Sequence, residues 1–219
     1  MLRSFLFATC LLFFSKLSFA QDRVKEYYTS GKLRGTGQIV NDQKEGEWIS
    51  YYPSGNKNAI ENYKAGKLHG RVTYYYPSEV VQGIETWREG TLQDSAWYFH
   101  SNGKLHRVGF YKDSQYSGKW RHYFENGKIE RIIHYQGGLP EGGTLVYNEQ
   151  GFLVQEGTYR QGLENGEWKF YTTDGKLEFS GSYENGKQVG IWYQYKKGKT
   201  KVYERHSGCE NLILQCCVT

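Results

Sequence analysis

The chain repeats itself every 24 residues, without insertion, from residue 27 to residue 194. Glycine, aliphatic and tryptophan positions recur at the same spacing as a column of aromatic residues. That column contains Tyr27, Tyr51, Tyr75, Phe99, Tyr123, Tyr147, Tyr171 and Tyr195. Several columns in one register indicate tandem copies of a single supersecondary unit, which buries its apolar face by stacking on its neighbours.

Each half of the repeat shows the alternation of a β-strand. In residues 177–184 the odd positions are mainly apolar and the even positions are polar, which is typical of a strand with one buried face. Asn185-Gly186 and Asp174-Gly175 supply the positive φ angles that tight turns need. The sequence therefore predicts an all-β fold, an elongated single-layer antiparallel meander of seven β-hairpin repeats with about fourteen strands.

Aromatic rings are expected to form the core, since the chain has 20 Tyr, 11 Phe and 6 Trp but only 38% hydrophobic residues overall. Gly109, Gly157 and Gly181 lie inside strands, where a missing side chain lets a Trp or Tyr ring of the next strand lie flat on the backbone. An aromatic ladder that stacks on a ligand is the alternative role for these rings. The predicted repeat core consists of Tyr27, Tyr51, Tyr123, Tyr147, Tyr171, Trp48, Trp120, Trp168, Trp192, Tyr63, Tyr111, Tyr135, Tyr159 and Tyr183.

The first twenty residues have the features of a secretory signal peptide. Arg3 precedes the apolar run 5–14, and Ser18-Phe19-Ala20 places small residues at −3 and −1, so cleavage is expected before Gln21. A membrane anchor is the rival interpretation, which Lys16 disfavours by interrupting the run. Losing Arg3 and Lys16 lowers the net charge from +5 to +3. We expect a mature protein that is secreted or lies in the cell envelope, in the periplasm or at the outer membrane.

The mature chain divides into three parts. Residues 21–26 are an expected N-terminal cap, residues 27–194 hold the seven repeats, and residues 195–219 hold a partial repeat and a cysteine-containing tail. The three cysteines of that tail allow one disulfide and one free thiol, or an intermolecular bridge. Adjacent cysteines rarely bridge each other, so Cys209 is expected to pair with Cys216 or Cys217.

The sequence predicts no catalysis, no cofactor and no metal. It contains no nucleophile elbow, phosphate loop or dinucleotide fingerprint. The six histidines show no ligand spacing, and His100 and His106 fall on different segments of the repeat. Charges alternate in sign without the basic stripe that nucleic acid needs, which predicts no nucleic-acid partner.

The third repeat, residues 75–98, departs most from the consensus. Trp87, Arg88, Trp97 and Tyr98 stand there as candidate partner contacts, because residues that break a repeat pattern are freer to serve binding. Decay of one copy in an array is the alternative explanation.

Three phrases of the sequence resemble MORN repeats, and more closely the bacterial MORN variant of the YwqK-type antitoxin family. They are Tyr-Glu-Asn-Gly-Lys at 183–187, Gly-Glu-Trp-Lys-Phe-Tyr at 166–171 and Tyr-Phe-Glu-Asn-Gly-Lys at 123–128. The resemblance implies an elongated, twisted β array used for protein–protein contact, dimerisation or membrane-lipid contact. The predicted function is accordingly a non-catalytic scaffold that binds a protein partner. A toxin-neutralising immunity protein and a peripheral membrane-lipid binding module are the alternatives.

Overall fold

The computed structural model describes residues 23–206, and every regular element in that range is a β-strand. The signal peptide and the tail cysteines of the sequence prediction lie outside the described residues. The strands are β1 Val24–Tyr27, β2 Leu33–Val40, β3 Gln43–Tyr51, β4 Lys57–Lys64, β5 Lys67–Leu68, β6 Gly70–Tyr75, β7 Val81–Arg88, β8 Thr91–Phe99, β9 Leu105–Lys112, β10 Gln115–Tyr123, β11 Ile129–Gln136, β12 Leu139–Tyr147, β13 Leu153–Arg160, β14 Leu163–Tyr171, β15 Leu177–Glu184, β16 Lys187–Lys196 and β17 Lys199–His206.

The strands form one open sheet in which each strand pairs antiparallel with the next along the chain. The predicted all-β hairpin meander is confirmed. β5 and β6 both pair with β4 and form one interrupted strand, so β2 to β16 make fourteen strands across the repeats. β1 and β17 extend the sheet by one strand at each end, in the segments expected to cap it.

Two-residue turns close one edge of the sheet. Asn185 and Gly186, for example, have φ angles of 49° and 78°, which is the type I′ geometry that matches the twist of paired strands. Lys197 and Gly198 adopt the same turn where the 24-residue spacing would place a five-residue loop. The connection between β16 and β17 therefore departs from the repeat after Tyr195.

Five-residue loops close the other edge, and side chains of these loops bond to the next repeat. Tyr28 Oη donates to the Tyr51 carbonyl at 2.7 Å, Tyr52 Oη to the Tyr75 carbonyl at 2.7 Å, and Tyr76 Oη to the Phe99 carbonyl at 2.9 Å. His100 and Asn148 hold the same position in later loops and bond to the Tyr123 and Thr173 carbonyls. These side-chain bonds form a ladder along the loop edge that links neighbouring repeats only.

A bulge in each repeat sets which residues share a face. Thr36 pairs with Ile49 and Gln38 with Glu45, so Gly37 alone faces the three residues 46–48. Because paired residues project on the same side of a sheet, Gly37 and Trp48 lie on one face. We call the face that carries Trp48, Trp120, Trp168 and Trp192 the Trp face, and the other the back face.

Candidate functional site

The Trp face holds the buried core of this single-layer sheet. Trp48, Trp120, Trp168 and Trp192 are all buried. They cover Gly37, Gly109, Gly157 and Gly181 respectively, and a Cβ atom at any of these glycines would overlap with the ring. The predicted packing of rings on strand glycines is therefore confirmed.

The ring nitrogens of the first three tryptophans are also satisfied. Trp48 Nε1 donates to the Gln38 carbonyl at 3.0 Å, and Trp120 and Trp168 make the equivalent bond to Phe110 and Thr158. Trp192 Nε1 is buried without a hydrogen-bond partner. The last pair of the array is therefore the least complete, since an unpaired buried donor costs about 1–3 kcal/mol.

Three repeats replace the Gly–Trp pair by a larger residue opposite a smaller one. These units carry Glu61 with Val72, Glu85 with Ala96, and Ile133 with Thr144. The register places the members of each pair on the Trp face, where Val72, Ala96 and Thr144 are buried. Volume lost in the tryptophan column is thus offset in the glycine column, so the third repeat is a coherent variant of the unit.

One of the two tyrosine columns surrounds these pairs. Tyr63, Tyr111, Tyr159 and Tyr183 present their rings edge-on to neighbouring tryptophans, with centroids 5.1–6.5 Å apart. The other column projects from the back face, where Tyr171 Oη donates to Glu156 Oε1 at 2.6 Å. Of the predicted core, Tyr51, Tyr63, Tyr111, Tyr123, Tyr135, Tyr147, Tyr159, Tyr171 and Tyr183 are all partly buried.

Tyr27 differs from the rest of its column. It was grouped with the core in the sequence analysis but is 55% exposed. It ends β1, the first strand of the sheet, which has a neighbouring strand on one side only. No preceding repeat covers its ring.

The four candidate residues of the third repeat do not form one surface. Trp87 and Tyr98 lie on the Trp face and donate to the carboxylate of Glu85, at 3.0 Å and 2.6 Å. Trp97 lies on the back face and is 37% exposed. Arg88 is exposed, and its Nη2 is 3.8 Å from Asp94 Oδ2. The structure brings Trp87 and Tyr98 together and separates both from Trp97.

Glu85 anchors a network of phenols on the Trp face. Tyr98 Oη is 2.6 Å from Glu85 Oε1 and 3.2 Å from Tyr111 Oη. Burial, followed by the bond to Glu85, raises the pKa of Tyr98 well above its usual value, and burial is also the main cause that raises the pKa of Tyr111 to about 12. These hydroxyls stay protonated at neutral pH and act as hydrogen-bond donors.

Next to this network the Trp face carries histidines and arginines. The rings of His100 and His106, which the sequence analysis assigned to separate segments, lie with their centroids 4.4 Å apart because the loop between β8 and β9 folds one over the other. His122 lies between Arg107 and Arg131 in the register of β9, β10 and β11. Burial, then Arg107 and Arg131, lower the pKa of His122 to about 4.

The sequence analysis did not find this cluster of His100, His106, Arg107, His122 and Arg131. Cross-strand neighbours here are 9 or 15 residues apart, and only the position of the bulge reveals that they share a face. Among residues 23–206 no group of three or more His, Cys, Asp or Glu side chains is arranged to hold a metal ion.

Among the described residues, most of the exposed large apolar side chains project from the back face. Eight of the twelve exposed large hydrophobic residues project from it: Val40, Trp97, Phe110, Leu139, Leu163, Ile191, Tyr193 and Val202. One cross-strand row on this face contains Ile49, Ile60, Thr73, Ile84, Trp97 and Val108 in consecutive register. We call these six residues the apolar stripe; it spans about 24 Å, five strand spacings.

The back face changes character along the array. An open groove of about 420 Å³ on the apolar stripe is lined by Arg71, Ile84, Thr86, Trp97 and Phe99. Farther along, the same row crosses Arg121, Ile132 and Leu145 and then runs through the polar residues Glu156, Lys169 and Ser180 to Tyr193. This half of the face contains a groove of about 550 Å³ whose lining includes both charged residues and the aliphatic Ile132 and Leu145.

In that second groove Lys169 Nζ is 3.7 Å from Glu156 Oε1 and 3.8 Å from Glu167 Oε2. These three charged residues are therefore paired with one another within the chain. No described helix could span a membrane, since residues 23–206 contain strands only.

Comparison with protein families finds the MORN repeat variant in four segments, residues 23–41, 44–65, 116–136 and 164–185. The chain therefore carries MORN-type repeats and is a repeat scaffold. Three of the segments contain Trp48, Trp120 or Trp168, whereas Val72, Ala96 and Thr144 lie outside all four. The matched segments thus include three residues of the tryptophan column and none of the smaller residues that replace tryptophan there.

No curated protein sequence matches the chain. Among solved structures, TcdB2-TccC3-Cdc42 matches at 15% identity with a TM-score of 0.19, covering 79% of this chain and 13% of that chain. The Photorhabdus luminescens Tc holotoxin pore with a TccC3 mutation matches at 14% identity with a TM-score of 0.19, again covering 79% and 13%. This chain therefore spans about 13% of the length of these solved chains.

Proposed function

We propose that this chain is a non-catalytic repeat scaffold that binds a protein partner in the cell envelope or outside the cell, and that the apolar stripe of the back face is the binding surface. The observation that carries the proposal is the exposure of Trp97 within an unbroken cross-strand row of mainly aliphatic residues. A contiguous exposed apolar surface on a soluble protein marks a place where another molecule docks.

The two faces support this choice of surface. On the Trp face, Trp48, Trp120, Trp168 and Trp192 stabilise the fold, because each is buried on a strand glycine. On the back face the groove at Ile84 and Trp97 is open and its aromatic rings are available. Trp with Arg at its rim is the combination most enriched at the centres of protein interfaces, and Arg71 lines the same groove.

The test compares two exposed aromatic residues in the same cross-strand row. Trp97 is 37% exposed beside Ile84 in the apolar stripe, and Tyr193 is 36% exposed beside the polar Ser180. Residues 21–219, their W97S variant and their Y193S variant are used to capture proteins from the envelope fraction of the source cell. We expect one dominant protein with the wild type and with Y193S, and its loss by at least tenfold with W97S.

Equal capture by all three baits, or equal loss with both variants, would overturn the apolar stripe as the surface. The same reagents address the alternatives. An immunity role predicts that the captured protein is toxic when expressed alone, and that the wild type but not W97S relieves the toxicity. A lipid-binding role predicts association with vesicles that is independent of Trp97 and falls with salt.

A further inference from the structure

A row of cationic side chains crosses the Trp face between β9 and β11. The register pairs Tyr98 with Arg107, Arg107 with His122, and His122 with Arg131. Residues directly opposite each other have Cβ atoms about 5 Å apart, so the two guanidinium groups start about 10 Å apart with the imidazole between them. The rest of this row, from Glu26 to Gln194, contains no other basic residue before Lys201.

The Arg107 side chain is held in place by aromatic groups. Its Cζ lies 4.3 Å from the centroid of the Tyr98 ring, and its Nη1 donates to Tyr116 Oη at 3.3 Å. Its Nε is buried and has no hydrogen-bond partner. A guanidinium group that is oriented and has an unused donor is prepared to bind an oxyanion.

Residues 23–206 supply no counterion for this row. Among the described residues neither Arg107 nor Arg131 has a carboxylate oxygen within 4.0 Å. The nearest acid in the network, Glu85, lies beyond Tyr98 and already accepts bonds from Tyr98 and Trp87. This contrasts with the charged groove of the back face, where Lys169 is paired with two glutamates.

The other titratable groups around the row do not neutralise it. His100 Nε2 is bonded to the Tyr123 carbonyl. The charge of Glu130 opposes the lowering of the His106 pKa, and Glu130 forms no ion pair with an arginine of the row. Burial and the two arginines lower the pKa of His122 to about 4, so its ring is neutral at pH 7 and can donate an N–H. The row therefore offers two positive charges and an additional neutral donor.

We propose that Arg107, His122 and Arg131 form a binding site for a phosphate monoester dianion, with the two guanidinium groups on its oxygens and the imidazole N–H between them. Two guanidinium groups match a dianion in charge and in the number of oxygens, whereas a carboxylate balances one of them only. The site lies on the face opposite the apolar stripe, so it is independent of the proposed protein-binding surface. A soluble phosphorylated compound and a phosphate monoester lipid headgroup share this chemistry.

The experiment titrates inorganic phosphate into residues 21–219 at pH 7.5 and constant ionic strength, while NMR follows the side-chain signals of the histidines. We expect a saturable shift of the His122 signal and a rise of its pKa on binding, since the anion offsets the two arginines. The R131Q variant is expected to bind phosphate at least tenfold more weakly.

Arg121 provides the matched control, because it is exposed on the same strand as His122 but projects from the back face. R121Q removes the same charge and should bind phosphate as the wild type does. Arg131 is exposed as well, so an unchanged Tm verifies that R131Q is folded. Equal weakening in R121Q and R131Q, a shift that follows ionic strength alone, or equal affinity for acetate would overturn the site.

Vesicles distinguish the two sources of the phosphate group. Phosphatidylcholine vesicles with and without phosphatidic acid are tested with the wild type and R131Q. Binding that requires phosphatidic acid and Arg131 supports the site with a lipid headgroup as its ligand. Phosphate binding that requires Arg131, without vesicle binding, supports the site with a soluble ligand.

Discussion

The repeats of this sheet share one backbone arrangement, but they have two different kinds of core. In the units with a Gly–Trp pair, such as Gly157 and Trp168, a ring covers a strand that has no side chain. In the other units, such as Ile133 and Thr144, a larger residue fills the glycine column and a small one takes the place of the ring. The comparison teaches that, where the array lacks the tryptophan ring, a larger side chain stands in the glycine column, so the two columns vary together.

The largest effect on stability is expected when the tryptophan ring of a Gly–Trp pair is removed. Trp168→Ala removes a fully buried ring and leaves its glycine uncovered, so the free energy of unfolding should fall by about 3–5 kcal/mol. Val72→Ala, in a replaced unit, should lose less because fewer buried atoms are removed. Urea unfolding monitored by fluorescence measures both, and equal losses would contradict the comparison.

The second effect comes from overfilling a pair. Gly157→Ala places a Cβ into the Trp168 ring and should cost about 1–3 kcal/mol, through displacement of the ring. Gly143 is the control, since it also lies in a strand but has no atom within 4 Å of an added Cβ. Gly143→Ala should leave stability within about 0.5 kcal/mol of the wild type.

The third test converts one kind of unit into the other. The double variant Gly157→Ile with Trp168→Thr reproduces the pair found at Ile133 and Thr144. It should be less destabilised than the sum of its single variants by about 2 kcal/mol or more, because each change makes room for the other. A double-mutant cycle measures this coupling, and additive losses would mean that the two columns are independent.

The smallest expected effect on stability concerns the titration of His122. This residue lies beside Trp120, at the border between a Gly–Trp unit and a replaced one. Its pKa is lowered to about 4 by burial and then by Arg107, Arg131 and His106, whereas an unfolded imidazole titrates near 6.5. The stabilisation that the neutral His122 ring contributes is present above pH 6.5, and it is lost as the pH falls from 6.5 towards 4. The loss should be on the order of 1 kcal/mol, since the ring is partly exposed to screening solvent.

The Tm measured between pH 7 and pH 4 tests this linkage. His122→Asn should flatten the dependence in that range. A wild type whose Tm does not change between pH 6.5 and pH 4 would contradict the lowered pKa.

The period and the turn residues were sufficient to predict the meander and the packing of Trp120, Trp168 and Trp192 on glycines, because both depend on short-range spacing. The Arg107–His122–Arg131 row could not be predicted in the same way. It depends on a bulge that shifts the register between neighbouring strands, and this shift decides which residues face each other. For the same reason the sequence did not reveal that Glu85 and Ala96 form a pair. The third repeat was therefore interpreted as a departure from the pattern.

The loop-edge ladder has a mechanical consequence. Each bond of the ladder, such as the one from Tyr52 Oη to the Tyr75 carbonyl, joins one repeat to the next and to no other repeat. A force that separates the two ends of the array loads the inter-strand bonds one strand at a time, as in opening a zipper. Each repeat that peels away releases about 80 Å of chain, from 24 residues at about 3.4 Å each. The sheet is thus built to yield in equal steps under tension.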